Sequence, residues 1–232
     1  MSFAGVAEIL LVDDERAVRE GLKRMLECEG FAVRTARDGA DALVKFAQKR
    51  PDAILLDVMM PKLNGFAVCA EIRKTDALLP IVFLTAKDSE ADEIRGMGIG
   101  ADDYVSKSAG EEVLLARLRR ALERAATTAS DGKDDTVLKL GTVEVDLERR
   151  KVLRDGEEES LTASEFDILK CLASAPGRPF TADELLSFLR GEGYIGDPAT
   201  VRVHIMNLRR KLGRAGAMIA NLPKGGYYLV GT

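Results

Sequence analysis

Histidine occurs once in this 232-residue chain, at His204, and cysteine three times, at Cys28, Cys69 and Cys171. A single histidine excludes His-dependent triads, histidine relays and multi-histidine metal sites. Three cysteines, odd in number, widely spaced and set among apolar residues, read as structural thiols rather than a disulfide framework or a thiolate metal site. No apolar run is long enough to span a bilayer. Met1-Ser2-Phe3-Ala4 offers neither the basic start nor the apolar core of a secretory signal, so a cytoplasmic protein with no membrane partner is expected. No G-x-G-x-x-G follows any strand-like run, which weakens a dinucleotide-binding reading. What remains is a globular composition, 46% hydrophobic and 31% charged, with length for two ordinary domains.

The apolar runs that are present end alike. Ile9-Leu10-Leu11-Val12 closes on Asp13-Asp14, and Ala53-Ile54-Leu55-Leu56 on Asp57. Ile81-Val82-Phe83-Leu84 reaches Thr85, and Asp103-Tyr104-Val105 reaches Ser106-Lys107. Short continuous apolar runs of this kind fit strands buried on both faces of a parallel sheet, whose carboxyl ends form the ligand crevice. Carboxylates, a hydroxyl and an ammonium group would then meet at one edge. That inventory suits a hard divalent cation and a phosphoryl group, with Asp57 as a candidate acyl-phosphate nucleophile. Singly, each residue has a plainer reading: Asp14 or Thr85 as a helix cap, Lys107 as a solvated loop charge. Their recurrence at the ends of four strand-like runs favours the shared site.

Strands are predicted near Glu8–Val12, Ala32–Thr35, Ala53–Leu56, Ile81–Leu84 and Asp103–Val105. Helices are predicted near Arg16–Cys28, Ala40–Gln48, Gly65–Arg73, Glu90–Gly98 and Glu111–Ala125. The last of these carries Val113, Leu114, Leu118 and Leu122 at helical spacing. The alternation predicts a doubly wound α/β domain with a five-stranded parallel sheet over residues 1–126. Residues 127–136, small, polar and without periodicity, read as a linker.

A second, α+β domain is predicted over 137–232. Short strands fall at Val137–Leu140, Val143–Val145 and Lys151–Arg154, with turns at Gly141 and Asp155-Gly156. Thr162, with Glu165 as capping-box partner, opens a helix over Ala163–Ala175. Thr181 caps Ala182–Leu189, and Asp197-Pro198 opens a third helix that ends at Gly213. Met218–Leu222 and Tyr227–Val230 read as a hairpin. Three helices and a hairpin make a winged helix-turn-helix.

The formal net charge of −4 conceals a split. Beyond Asp197 there is no acid, while Arg202, Arg209, Arg210, Lys211, Arg214 and Lys224 all lie there. Such a local basic end suits double-stranded DNA. In the third helix, Val201, Ile205, Leu208 and Leu212 form an inward stripe. Thr200, Arg202, Val203, His204, Met206, Asn207, Arg209 and Arg210 are the expected DNA-facing set, Asn207 toward base edges and the arginines mostly toward phosphates, with Lys224 on the wing.

At this point the chain resembles the OmpR/PhoB-type response regulators over nearly its whole length. The receiver likeness rests on Leu11-Val12-Asp13-Asp14-Glu15, Leu56-Asp57-Val58-Met59-Met60-Pro61, Asn64-Gly65, Leu84-Thr85-Ala86-Lys87 and Gly100-Ala101-Asp102-Asp103-Tyr104-Val105. The effector likeness rests on Leu161-Thr162-Ala163-Ser164-Glu165-Phe166, Thr200-Val201-Arg202-Val203-His204-Ile205, Leu208-Arg209-Arg210-Lys211-Leu212 and Gly226-Tyr227. The resemblance implies a flavodoxin-like (chemotaxis-receiver) domain that acts as a transcription factor rather than an enzyme. It implies phosphoryl transfer to Asp57 from a sensor histidine kinase. Mg²⁺ would be held by Asp13, Asp14, Asp57 and the Met59 carbonyl, and Thr85 and Lys107 would meet the phosphoryl oxygens. It further implies a switch through Thr85 and Tyr104. Activation would produce a homodimer using Asp102, Asp103, Arg117 and Arg124, bound to direct-repeat half-sites, with RNA polymerase a further partner.

Departures from the family pattern carry their own expectations. Ser108-Ala109 stand where Pro and an aromatic residue usually follow the lysine, so the link after Lys107 is expected to be trans or the loop looser. Glu93 and Val113 replace a usual ion pair on the dimer face. Asn207 replaces a common base-reading Arg, and Pro223-Lys224 the usual Arg-Gly of the wing. Two alternatives stay open. One is a regulator that binds DNA without phosphorylation. The other is an aspartyl-phosphate phosphatase of the haloacid dehalogenase kind, which requires Asp-x-Asp where this chain has Met59.

Overall fold

The computed structural model describes residues 6–86, 96, 98–126, 137–147, 149–190, 198–222 and 226–230. The chain divides into two compact units, Met1–Ala125 and Ala126–Thr232. The expected linker at 127–136 lies outside the described residues.

In the first unit, β1 (Glu8–Val12), α1 (Arg16–Cys28), β2 (Ala32–Ala36), α2 (Gly39–Gln48), β3 (Ala53–Asp57) and α3 (Gly65–Arg73) alternate. They are followed by β4 (Ile81–Thr85), β5 (Asp103–Ser106) and α4 (Glu111–Ala126). The strands form one parallel sheet in the order β2-β1-β3-β4-β5. The apolar residues of β1, β3 and β4 are almost wholly buried, as strands covered on both faces must be, while the flanking β2 and β5 are part-exposed. Strands β2 to β5 each run one residue past the predicted end, because the parallel ladder pairs Val12 with Ala36, Asp57 with Leu84, and Thr85 with Ser106. Asp57 and Thr85 are thereby the last residues of their strands, held by sheet hydrogen bonding rather than by a loop. The predicted helix at Glu90–Gly98 falls mostly outside the described residues, as does Glu93; Gly96, Gly98 and Ile99 are helical.

Leu114, Leu118 and Leu122 of α4 pack on Leu11, Leu55, Val82 and Leu84. Val113, assigned from the sequence to that apolar stripe, instead points outward at 44% exposure, and Leu115 takes the inner place. Cys28 is exposed as well, unlike Cys69 and Cys171.

The second unit opens with a four-stranded antiparallel sheet, β6 (Val137–Leu140), β7 (Val143–Asp146), β8 (Lys151–Arg154) and β9 (Glu157–Glu159). Strand β9 went unpredicted, because Glu157-Glu158-Glu159 has no apolar alternation. Cross-strand pairing supplies the reason it forms: Lys151 meets Glu158 at 2.9 Å and Arg154 meets Glu159 at 3.0 Å. Asp155 and Gly156 turn the chain between β8 and β9, both with positive φ, the geometry two-residue hairpins favour.

Helices α5 (Ala163–Ala173), α6 (Ala182–Arg190) and α7 (Pro198–Leu212) follow, then a 3₁₀ segment (Gly213–Met218) and the hairpin β10 (Ile219–Asn221)–β11 (Tyr227–Leu229). The Thr162–Glu165 capping box forms as expected. Thr181 caps α6, and Glu184 reciprocates with an oxygen that accepts from the Thr181 N–H. The expected opening residue Asp197 lies outside the described residues. Val201, Ile205, Leu208 and Leu212 of α7 enter the core with Phe166, Leu169, Leu185 and Leu189. Among the described residues no helix is long and apolar enough to cross a membrane.

Candidate functional site

The chain passes from β1 to β2 on one side and from β3 to β4 on the other, so the strand order reverses between β1 and β3, where a crevice is expected at the carboxyl ends. Asp57 and Asp13 sit in it, 3% and 0% exposed, with the exposed Asp14 beside them. One carboxylate oxygen from each of the three lies within 4.8 Å of the others. The Lys107 ammonium group reaches in from the loop after β5, 2.7 Å from Asp13 Oδ2 and 3.0 Å from Asp57 Oδ2. Its backbone N–H donates to the Thr85 carbonyl at 2.6 Å, which ties the lysine to the end of β4.

Each of the two buried acids is fixed by contacts with the backbone. The Glu15 N–H donates to Asp13 Oδ1 at 2.8 Å, and Arg19 Nη1 donates to the Asp13 carbonyl at 2.6 Å. The Met59 N–H donates to Asp57 Oδ1 at 3.2 Å, while the Met59 side chain stands 63% exposed. Beyond it, Asn64 caps α3 by accepting from the Ala67 N–H at 3.0 Å. Burial pushes the Asp13 carboxyl above its ordinary range, against the lowering supplied by Lys107 and the Glu15 N–H. Burial also works to lower Lys107, but hydrogen bonds and charge from Asp13 and Asp57 outweigh it and hold the ammonium group up.

Three carboxylates of which two are buried carry more negative charge than one ammonium group offsets. Hard oxygen donors crowded in this way fit Mg²⁺. Thr85 is 1% exposed at the end of β4. Tyr104 is half-buried and lies edge-on to Phe83 with ring centroids 6.2 Å apart; Phe83 in turn meets Phe66 at 5.3 Å. In the loop around Lys107, the Ser106 and Ser108 hydroxyls lie 2.7 Å apart, and the Ala109 N–H donates to the Ser106 carbonyl at 3.0 Å. No peptide bond among the described residues is cis, so the Lys107–Ser108 link is trans.

Asp102, expected on a dimer face, points inward. It is 3% exposed, its Oδ2 accepts from Arg73 Nη2 and from the Ile81 N–H, each at 2.9 Å, and it thereby holds α3 against the start of β4. Asp103 is buried too and pairs within the chain with Arg117 at 3.3 Å.

The second unit buries three residues of the expected DNA-facing set. Thr200, His204 and Asn207 are buried, at 0%, 1% and 6% exposure. They recur at i, i+4 and i+7, forming a second stripe beside Val201, Ile205 and Leu208, and α7 packs against α5, α6 and the 3₁₀ segment. The buried face is therefore broader than the apolar stripe alone. Arg209 is half-buried: its guanidinium donates to the Ile219 carbonyl at 2.6 and 3.0 Å and also to Asn221 Oδ1. Lys211 Nζ lies 2.7 Å from Glu165 Oε2. Arg202, Met206 and Arg210 are exposed, and Val203 is part-exposed. Lys224 lies outside the described residues.

A parallel α/β unit with an acid-and-lysine crevice, followed by three helices and a hairpin, is the architecture of a receiver joined to a DNA-binding effector. Residues 9–119 match the family described as response regulator receiver domain, and residues 156–229 the one described as transcriptional regulatory protein, C terminal. The sensory transduction protein RegX3 of Mycolicibacterium smegmatis is 38% identical over 207 residues, 89% of this chain and 90% of that one. The response regulator MprA of a Mycobacterium species is 42% identical over 208 residues, 90% of each. Among solved structures, a mutant form of RitR superposes with a TM-score of 0.78 at 24% identity, covering 97% of this chain and all of that one, a likeness of fold. DrrB of Thermotoga maritima, described as an OmpR/PhoB homologue, gives a TM-score of 0.51 at 27% identity over 97% of this chain and all of that one. The chain belongs to the OmpR/PhoB-type response regulators, and carries a transcription-regulating, DNA-binding domain behind its receiver.

Proposed function

We propose that Asp57 accepts a phosphoryl group from the phosphohistidine of a partner sensor kinase in the cytoplasm, and that this charge controls promoter binding by the second domain. Residues 1–126 would serve as receiver, 127–136 as linker and 137–232 as effector. An Asp57 oxygen forms the new bond to phosphorus while the phosphorus–nitrogen bond to the donor imidazole breaks, the nitrogen keeping the electron pair. Lys107, already 3.0 Å from Asp57, needs only a small movement to pair with a phosphoryl oxygen. Asp13, Asp14 and Asp57 with the Met59 carbonyl would hold Mg²⁺, which when bound neutralises charge on the transferring group. The Thr85 hydroxyl would donate to a second phosphoryl oxygen. Thr85 and Tyr104 lie on neighbouring strands, so a shift of the first frees space for the second.

Activation would then join two protomers through the face of α4 that bears Arg117 and Arg124, placing two effectors on direct-repeat half-sites of double-stranded DNA, with RNA polymerase as a downstream partner. The observation that carries the reading is the single ammonium group held between two buried carboxylates at the strand ends. A small acyl-phosphate donor with Mg²⁺ should add one phosphoryl group to the wild type, by intact mass, and none to Asp57→Ala. Equal labelling of both would overturn the assignment. DNA affinity that Asp57→Ala leaves unchanged in the presence of donor would favour the phosphorylation-independent alternative.

A further inference from the structure

Arg209 stands on α7 amid exposed cations, yet both its side chain and its backbone are occupied by the segment that follows. The guanidinium spans the Ile219 carbonyl, through Nε at 3.0 Å and Nη2 at 2.6 Å, and the Asn221 amide oxygen, so it grips β10 at both ends. The 3₁₀ segment lies flush on the same residue: a Cβ at Gly216 would stand 2.3 Å from the Arg209 carbonyl oxygen and 2.7 Å from its Cα. Only a residue without a side chain passes there. Ile219 is 1% exposed, so its carbonyl has little water to turn to if the arginine leaves.

We propose that Arg209 is a positioning residue that fixes the β10–β11 hairpin to the DNA-facing helix, and so sets where the hairpin meets the duplex, rather than a phosphate contact. This rests on the DNA-binding role of the second domain. The charge argument agrees with the geometry. Lys211 is engaged by Glu165, and Arg209 by the hairpin, which leaves Arg202, Arg210 and Arg214 as the exposed cations of this stretch among the described residues. A planar fork matters here: lysine would keep the charge but, as a point donor on a flexible stem, could not hold the Ile219 carbonyl and Asn221 together.

That difference supplies the test. In the full-length protein without DNA, Arg209→Lys should speed amide exchange in the β10–β11 ladder by roughly tenfold or more, as loss of a charge-assisted clamp predicts, while α7 stays protected. On a duplex selected by the wild type from random sequence, the same variant should lose affinity roughly tenfold, yet bind random-sequence duplex with unchanged affinity and salt slope. Asn221→Ala, a milder change that removes no charge, should reproduce part of the exchange effect and add little to Arg209→Lys in the double variant. Wild-type exchange and wild-type selected-site affinity in Arg209→Lys would overturn the proposal, as would a salt slope that falls by about one unit only when the charge is removed in Arg209→Ala. Should the wild type bind no duplex, the DNA reading fails, while hairpin exchange in the free protein still decides the role of Arg209.

Discussion

Gly65 lies so close against Asp57 that a Cβ added to it would stand 2.2 Å from the Asp57 carbonyl oxygen and 3.0 Å from its carbonyl carbon. The Gly65 N–H also donates to the Val58 carbonyl at 3.1 Å, so the loop after β3 folds back beneath the proposed phosphoacceptor. Backbone atoms of a buried strand cannot step aside cheaply. Gly65→Ala should therefore cost about 1–3 kcal/mol in urea unfolding, the range of overpacked cores. Labelling of Asp57 by a small phosphodonor should slow beyond what the unfolded fraction explains. Unchanged stability and labelling would mean that the loop has room the geometry denies.

Asp102 offers a sharper contrast between a surface and a buried role. Its side chain and that of Arg73 are 2% and 8% exposed, and Arg73 also donates to the carbonyls of Asp76, Leu79 and Gly100. Removing one partner of a buried pair strands the other's charge, at about 3–5 kcal/mol. Asp102→Ala should show that loss by chemical denaturation of the full-length protein in its unphosphorylated form. Sedimentation should show no change specific to dimer formation once stability is restored by lower temperature. A normal midpoint with weakened self-association would return Asp102 to the dimer face.

The sheet edge was readable because it is written in one dimension. Asp13, Asp57, Thr85 and Lys107 each close an apolar run, and parallel pairing brings run ends to one edge whatever the loops do. Features made by side-chain partners outside the local pattern left no such mark. Nothing near Asp102 announces Arg73, and nothing in Glu157-Glu158-Glu159 announces that Lys151 and Arg154 will hold it as a strand. Helical angles locate the Val201–Leu212 stripe but not the width of the face that α5, α6 and the 3₁₀ segment cover, so the burial of Thr200, His204 and Asn207 is not legible in the sequence. The engagement of Arg209 is hidden for the same reason: charge is visible in sequence, and its partner ten residues on is a backbone carbonyl.

Glu8 supplies a pH dependence. The Lys49 ammonium group that donates to it, with Arg34 Nε at 2.6 Å on its other oxygen, holds its carboxyl below the ordinary range against the pull of desolvation. A depressed carboxylate stabilises the fold above its unfolded-state value and loses that contribution as pH falls through the folded-state value. The stability difference between wild type and Glu8→Gln should thus be largest near neutrality and shrink from about pH 5 downward. A difference that grows on acidification would contradict the pairing.

The cysteines should separate by reactivity. Burial pushes the Cys69 thiol up to about 11 and raises Cys171, while Cys28 is exposed at the end of α1. Since the thiolate is the nucleophile, an alkylating agent at neutral pH should add once to the native protein and three times in denaturant, by intact mass. Native labelling of Cys69 would mean that the core of the first unit opens far more often than its packing implies.

Neighbouring cations at the end of α7 should behave oppositely on DNA. Arg210 is exposed, so Arg210→Ala should lower the salt slope of binding to random-sequence duplex by about one unit, the signature of one lost phosphate contact. Lys211 is spent inside the protein. Its Nζ lies 2.7 Å from Glu165 Oε2, and the same Glu165 oxygen accepts from the Thr162 N–H at 2.8 Å in the capping box of α5. The Lys211 carbonyl in turn accepts from Arg154 of β8, so this residue ties the end of the helix to both α5 and the sheet. Lys211→Ala should leave the salt slope unchanged and instead lower stability by about 1–3 kcal/mol, because Glu165, 1% exposed, keeps its charge without its cation. Removing both partners in Glu165→Gln with Lys211→Met should recover part of that loss, since a neutral pair no longer buries an uncompensated charge. A salt slope that drops equally for Arg210→Ala and Lys211→Ala would show that the lysine leaves Glu165 to reach the duplex.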